Sequence, residues 1–173
     1  MFDISRPSQE VASIEDFLDS AKNRIGLLIE LKGRTADREM ADAVIAMIKE
    51  RNMLGETAVI SLDYPLIQYI EDKYPEVDTG YLYFFSLGET AKMKADILIM
   101  EEREASPEMI DKIKETGKKT IVWTVNTEES IDRFVRSDVD GIITDYVLRV
   151  KEGIIRRDNR SDYEIIIDSI LSY

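Results

Sequence analysis

Residues 118–146 of this chain read KKTIVWTVNTEESIDRFVRSDVDGIITDY, and this stretch decides the fold. It contains an apolar run that ends at Asn126, a polar segment with helical spacing, and a second apolar run from Val139. Two apolar runs separated by a helix are typical of a βαβ unit, in which both strands are parallel. The stretch therefore predicts a parallel sheet with a helix against its outer face.

The same alternation extends through the rest of the chain and predicts six strands in all. We expect strands at residues 25–32, 57–63, 79–84, 95–100, 119–125 and 141–144. We expect helices at 13–23, 37–51, 64–74, 106–117, 128–136, 146–151 and 162–171, with a helical turn near 89–93 and a loose linker at 156–161. These elements predict one α/β domain over residues 1–173.

The composition excludes several classes of function. The formal net charge is −12, so nucleic acid is not expected as a partner, because its phosphates would repel the chain. The chain has no cysteine, which excludes disulfides and thiolate chemistry. It also has no histidine, and no apolar run is long enough to predict a membrane span.

A carboxylate and an ammonium group end the first predicted strand. Strand side chains alternate between faces, so Glu30 and Lys32 point the same way at its carboxyl end. Charges on a parallel strand are costly unless they are solvated or used, and the carboxyl ends of such strands carry the functional sites of these folds. The residues alone favour a solvated strand end with an internal ion pair. A metal ligand beside a phosphate-binding cation is the alternative.

Four other features have a structural and a functional interpretation. Asp63 precedes Pro65 and is expected to be a helix N-cap. Asp145 is expected to cap or turn the chain after the last strand. The acidic run at residues 101–104 could bind a metal, but a solvated loop is favoured because nothing there predicts a ligand geometry. Trp123, the only tryptophan, is equally consistent with core packing and with a pocket wall.

Several of these motifs, taken in order, resemble the glycerophosphodiester phosphodiesterase family. Residues 118–146 resemble the seventh and eighth strands of that family's barrel, and the sequence ISLDY at 60–64 resembles the fourth strand of its membrane-associated subgroup. The resemblance covers the chain from about residue 13 to residue 146, but no stretch matches the family's first two βα units. It implies an incomplete TIM-type (β/α) barrel of about six parallel strands, equivalent to strands three to eight, with outer helices.

The resemblance also assigns roles to three residues. Glu30 and Lys32 match the family's Glu-x-Lys pattern, in which the glutamate binds the metal and the lysine supports the phosphoryl group. Trp123 matches the aromatic residue that lines the substrate pocket. The implied cofactor is a divalent metal, Mg²⁺ or Ca²⁺, and the implied substrate is a glycerophosphodiester. One carboxylate is far from a full set of ligands, so the metal is expected to bind this chain weakly or not at all.

The histidines of the family reaction have no counterpart here, so the isolated chain is expected to be inactive. We interpret it as the carboxyl-terminal part of such an enzyme, from a membrane-anchored bacterial parent. A non-catalytic pseudoenzyme domain that binds phosphodiesters or proteins is the second interpretation, and a structural half of an assembly is the third. Because six strands leave an open edge, we also expect a homodimer that covers it. The alternative cover is the last predicted helix, which has an apolar surface formed by Ile165, Ile166, Ile167, Ile170 and Leu171.

Overall fold

The computed structural model describes residues 11–33, 36–83 and 92–159. Within them, six parallel strands form one sheet in the order β1-β2-β3-β4-β5-β6. The strands are β1 Leu27–Glu30, β2 Thr57–Ser61, β3 Asp78–Tyr83, β4 Ile97–Glu101, β5 Lys119–Trp123 and β6 Gly141–Ile142. The helices are α1 Ile14–Ala21, α2 Arg38–Glu50, α3 Tyr64–Lys73, α4 Pro107–Lys114, α5 Glu128–Val135 and α6 Val147–Asp158. The prediction of an incomplete parallel barrel is therefore confirmed.

Side-chain caps explain where most of the helices begin. The residue before each of the first five α-helices accepts a hydrogen bond from the backbone of the first turn, which satisfies a donor that has no partner inside the helix. Asp63 does so through Leu66 N at 3.3 Å, so its predicted capping role is confirmed. The other four caps are Ser13, Asp37, Ser106 and Thr127.

The sheet has an apolar layer on each face. Its outer face packs against the helices in two clusters, one centred on β4 and β5 and the other on α1, α2 and β2. Its inner face is filled by a smaller cluster from the middle strands, whose buried members are Ala58, Ile60, Leu82, Ile97 and Ile99. Gly80 lies in the same inner layer, where a Cβ atom would come within 2.7 Å of Ile60 Cγ2. The inner layer is therefore closely packed below the carboxyl ends of the strands.

The last helix differs from the sequence prediction. The structure continues α6 to Asp158, so the predicted end at residue 151 is wrong, and so is the predicted linker over residues 156–158. Burial of Val150 and Gly153 against α5 explains the extension, because this contact stabilises the second half of α6. Residues 160 and 161 of that linker, the helix predicted at 162–171 and most of the turn at 89–93 lie outside the described residues. Within those residues, no helix combines the length and apolar character needed to cross a bilayer.

Candidate active site at the carboxyl end of the strands

A groove opens above the inner apolar layer, at the carboxyl ends of the strands. Its volume is about 670 Å³. Its walls come from both ends of the sheet and from the middle strands, which is possible because the sheet is curved. The lining residues are Leu28, Glu30, Lys32, Ile60, Leu62, Leu82, Trp123, Thr124 and Ile143.

Glu30 and Lys32 provide the charged wall of this groove. Lys32 Nζ lies 3.9 Å from Glu30 Oε1, and the side chains are 73% and 32% exposed for Lys32 and Glu30 respectively. Solvent screens an ion pair this open, so the contact contributes little to folding. Both groups therefore remain accessible to a ligand in the groove, side by side as the strand alternation predicts.

Buried hydrogen bonds hold the chain that carries these two charges. Ser61 is 1% exposed, and its hydroxyl donates to Leu31 O at 2.8 Å. Leu31 N donates to Ile60 O at 2.8 Å, so the residue between the two charges is tied to β2 through both its backbone groups. This role of Ser61 could not be predicted from the sequence. A serine next to apolar β-strand residues was the available signal, but its partner is thirty residues away.

Trp123 forms the opposite wall. It ends β5, where it is half-buried and packs with Ile121 against the inner cluster, while Val122 between them faces the helices. Trp123 and Glu30 therefore line one groove although they lie on strands that are not neighbours. Of the two interpretations of Trp123, the structure combines both, because the ring packs on the core and also faces the groove.

Asn126 links the ends of β5 and β6 beside this wall. Its Nδ2 donates to Asp145 Oδ2 at 2.7 Å, and its Oδ1 accepts from Asp145 N at 3.0 Å and from Thr144 Oγ1 at 3.2 Å. Of the two roles expected for Asp145, a cap or a turn, the structure shows the turn, because the N-cap of α6 is Tyr146, without a side-chain cap. Asp145 lies at the turn after β6, and its carboxylate is oriented by Asn126.

The acidic run at residues 101–104 begins with the last residue of β4 and is only partly solvated. Arg103 is 86% exposed, but Glu101 is 26% exposed and one carboxylate oxygen of Glu102 is buried without a hydrogen-bond partner. In the part of the chain that the structure describes, no group of three or more acidic side chains could hold a metal ion. Among the residues that the structure describes, Glu30 is the only carboxylate that lines the groove. The described residues therefore do not make a complete site for Mg²⁺ or Ca²⁺, which prefer six or more oxygen ligands.

The sequence profile of the glycerophosphoryl diester phosphodiesterase family matches residues 7–149. The chain belongs to this family. The Bacillus subtilis (strain 168) protein YhdW, whose name assigns it to the glycerophosphodiester phosphodiesterases, is 26% identical over 145 residues, which are 80% of this chain and 60% of YhdW. The chain therefore spans less than two thirds of that relative.

Solved structures of the family have the same fold. One from Silicibacter pomeroyi DSS-3 is 25% identical with a TM-score of 0.74, and the match covers 84% of this chain and 56% of that one. A phosphodiesterase from Oleispira antarctica, solved with the product sn-glycerol-3-phosphate, is 19% identical with a TM-score of 0.64. Its match covers 75% of this chain and 55% of the other. The six strands described here therefore have the curvature of a larger barrel.

Proposed function

We propose that this chain is the carboxyl-terminal part of an enzyme that hydrolyses glycerophosphodiesters to glycerol 3-phosphate and an alcohol. Family membership supports the reaction class, and the length covered in the relatives supports the view that the first two βα units are not in this chain. The observation that carries the proposal is the convergence of Glu30, Lys32 and Trp123 on one groove. These residues come from opposite ends of the sheet, as the substrate-facing residues of a barrel do.

Each of the three residues has a role that fits its position. The Lys32 ammonium would bind the phosphoryl oxygens, because negative charge grows on them as the phosphodiester bond breaks. The Trp123 ring would pack against the carbon backbone of the glycerol group. Glu30 would orient Lys32 and, in the complete enzyme, contribute one ligand to a divalent metal that polarises the phosphate. Mg²⁺ and Ca²⁺ are the candidate metals, and we propose that either binds this chain alone only weakly.

We further propose that the isolated chain is inactive. Proton transfer by a positioned side chain typically contributes about 10²–10⁴-fold to a reaction rate. The family histidines that would supply it have no counterpart in this sequence, which contains no histidine. Binding without turnover is therefore the expected behaviour of the groove.

Two measurements on the same protein test this proposal. The emission of Trp123 should change on addition of glycerol 3-phosphate, and the change should be lost in Lys32→Ala but kept in Lys112→Ala, an exposed lysine on α4. Release of glycerol 3-phosphate from glycerophosphocholine should be undetectable with Mg²⁺ or Ca²⁺. Turnover that survives repurification and disappears in Glu30→Ala would contradict the inactivity. An unchanged Trp123 emission in both the wild-type chain and Lys112→Ala would contradict the binding site.

A non-catalytic domain that binds phosphodiesters is the second candidate function. The preserved groove in a chain without histidine favours it. The two candidates differ in what restores activity. If a protein that supplies the first two βα units of a relative converts this chain into an active phosphodiesterase, and Glu30→Ala abolishes that activity, the chain is part of an enzyme. Binding without rescued turnover would support the second candidate.

Two further expectations belong to this proposal. The subgroup-like sequence at residues 60–64 supports a membrane-anchored bacterial parent, which fractionation of the full-length parent would test. A parent recovered wholly in the soluble fraction would contradict it. The open edges at β1 and β6 support a homodimer.

A further inference from the structure

We propose that two copies of this chain, in the absence of the first two βα units of a complete barrel, associate through α6 of each copy and α1 of the other, which places β6 of each beside β1 of its partner. The inference does not rest on the proposed catalytic role.

The exposed apolar side chains are concentrated at the two ends of the sheet. Within the described residues, the helices α2 to α5 carry no large hydrophobic side chain that is exposed. Such side chains lie instead on or beside α1 and β1, on or beside α6, and at Leu62 in the groove, which Leu28 of β1 also lines. They are Val11, Phe17, Ile25 and Leu28 at the first end, Tyr146, Val147, Leu148, Ile154 and Ile155 at the second, and Leu62 in the groove. We call the two end groups together the rim.

This distribution indicates that the rim is covered in the working protein. Scattered exposed hydrophobic residues are normal, but their concentration at the two ends of the sheet, with none on α2 to α5 among the described residues, is typical of an interface. On α6 the exposed apolar residues have helical spacing, because Leu148 and Ile155 are seven residues apart and Leu148 is 75% exposed. The opposite face of α6 buries Val150 and Gly153 on α5. Helix α6 is therefore apolar on two sides, and among the described residues it has a partner on only one.

The charges on α1 and α6 indicate which surface of a second copy fits against α6. Helix α1 has acidic residues and no basic ones, and its acidic residues are Glu15, Asp16 and Asp19. Helix α6 has an excess of basic residues in a chain whose net charge is −12, with Arg149, Lys151, Arg156 and Arg157 against Glu152 and Asp158. Some of these charges are paired within one copy, as Asp19 is with Arg51 and Arg156 is with Asp132. Arg149, Lys151 and Asp16 are exposed beside the apolar rim residues.

A two-fold axis parallel to the strands covers both free edges of the sheet at once. Such an axis keeps all strands parallel, so the free edge of β6 meets the free edge of the partner's β1, and the same contact repeats on the other side. Both edges are then protected from open-ended pairing, which an exposed strand edge otherwise invites. The contact is closed after two copies, as is usual for soluble oligomers. The acidic and basic helices would meet twice in this arrangement, since each copy contributes one of each.

The oligomeric state provides the first test. Light scattering at tens of micromolar should give twice the chain mass of 19.9 kDa. Leu148→Glu should weaken the dimer by about tenfold or more, because it would place an unpaired charge in an apolar contact. It should leave the far-UV circular dichroism unchanged, because Leu148 is exposed in the single copy. Lys112→Gln on α4 changes the net charge by the same amount and should leave the dimer intact. A monomeric wild type, or a dimer unaffected by Leu148→Glu, would overturn the proposal.

Engineered cysteines test the pairing of α1 with α6, and the natural absence of cysteine makes the result easy to interpret. A mixture of Phe17→Cys and Leu148→Cys proteins should form a disulfide-linked dimer on oxidation, whereas neither protein should do so alone. Efficient crosslinking of Leu148→Cys to itself would mean that α6 packs on α6, and it would refute this arrangement. Oxidation of a chain that carries both Phe17→Cys and Leu148→Cys should give dimers only. A ladder of higher species from this double variant would refute closure after two copies.

Discussion

The middle of the sheet and its rim are built from the same kinds of residues but bury them differently. In the middle, β2 and β4 are buried over nearly their whole length, and the helices over them expose no large hydrophobic side chain among the described residues. At the rim, β1 alternates between half-buried and exposed positions, and both flanking helices expose large hydrophobic side chains. The difference shows that burial in this fold depends on having a neighbouring βα unit on both sides. The proposed ligand groove lies between the two regions and uses residues from both.

Two phenylalanines test this difference most strongly. Phe134 is 1% exposed in the core over β4 and β5, whereas Phe17 on α1 is 61% exposed. Phe134→Ala should lower the free energy of unfolding by about 3–5 kcal/mol, because it leaves a cavity. Phe17→Ala should change it by less than about 0.5 kcal/mol when the chain is monomeric. Urea unfolding in the Leu148→Glu background measures both. Equal losses would mean that the rim is as well packed as the middle.

Two glycines test how closely the inner layer is packed. At Gly80, an added Cβ would lie 2.7 Å from Ile60 Cγ2 and 3.1 Å from Ile99 Cδ1, and both neighbours are buried. Gly80→Ala should therefore cost about 1–3 kcal/mol of unfolding free energy through overpacking. Gly55 has nothing within 4 Å of the same position, so Gly55→Ala should be close to neutral. Thermal unfolding of the two variants side by side would measure this difference in stability. A neutral Gly80→Ala would indicate a loosely packed interior.

The Asn126 link tests the junction between the middle and the rim. Asn126→Ala removes three hydrogen bonds to Thr144 and Asp145 and should cost about 1 kcal/mol, because each bond is partly exposed. It should also shift the emission of Trp123, which lies three residues away on the groove wall. The exchanged pair Asn126→Asp with Asp145→Asn keeps complementary donors and acceptors and should restore both readouts. An emission unchanged in Asn126→Ala would show that the link does not position the wall.

A polar cluster between α2 and α3 should produce the smallest effect on stability. Asp42 on α2 accepts a hydrogen bond from Lys73 at 2.8 Å, and also from the hydroxyls of Tyr69 and Tyr74. These bonds, that from Lys73 first, hold the pKa of Asp42 below its ordinary value of 3.8. The carboxylate therefore stabilises the fold above that pH, and the contribution is lost as the pH falls through the lowered pKa.

The measurement compares wild type with Asp42→Asn across pH. The difference in unfolding free energy should be present at neutral pH and should shrink as the pH falls below 3.8, because the wild-type carboxylate is then protonated as well. Salt should reduce the difference, since solvent reaches the cluster. A difference that grew toward acid would mean that the pKa of Asp42 is raised instead.

Much of the fold could be predicted because its signals are local. The alternation of apolar runs and helical segments predicts parallel strands, and residues such as Ser106 followed by Pro107 mark helix starts. The end of α6 could not be predicted this way. Its second half is polar apart from Gly153, Ile154 and Ile155, and it is helical because Gly153 allows close contact with Ile131 and Val135 on α5. That contact joins residues about twenty positions apart.

The candidate site likewise has one part that the sequence predicts and one part that it does not. The sequence by itself determined that Glu30 and Lys32 share a face, because strand side chains alternate with a period of two, and that Trp123 ends a strand. Only the tertiary structure decided that these residues line one groove, that Ser61 anchors the chain between the two charges, and that Asn126 orients Asp145. The physical reason is the separation along the sequence between the residues that interact. Periodicity and capping depend on residues a few positions apart, whereas the curvature of the sheet and the partners of buried polar groups depend on how all six strands pack.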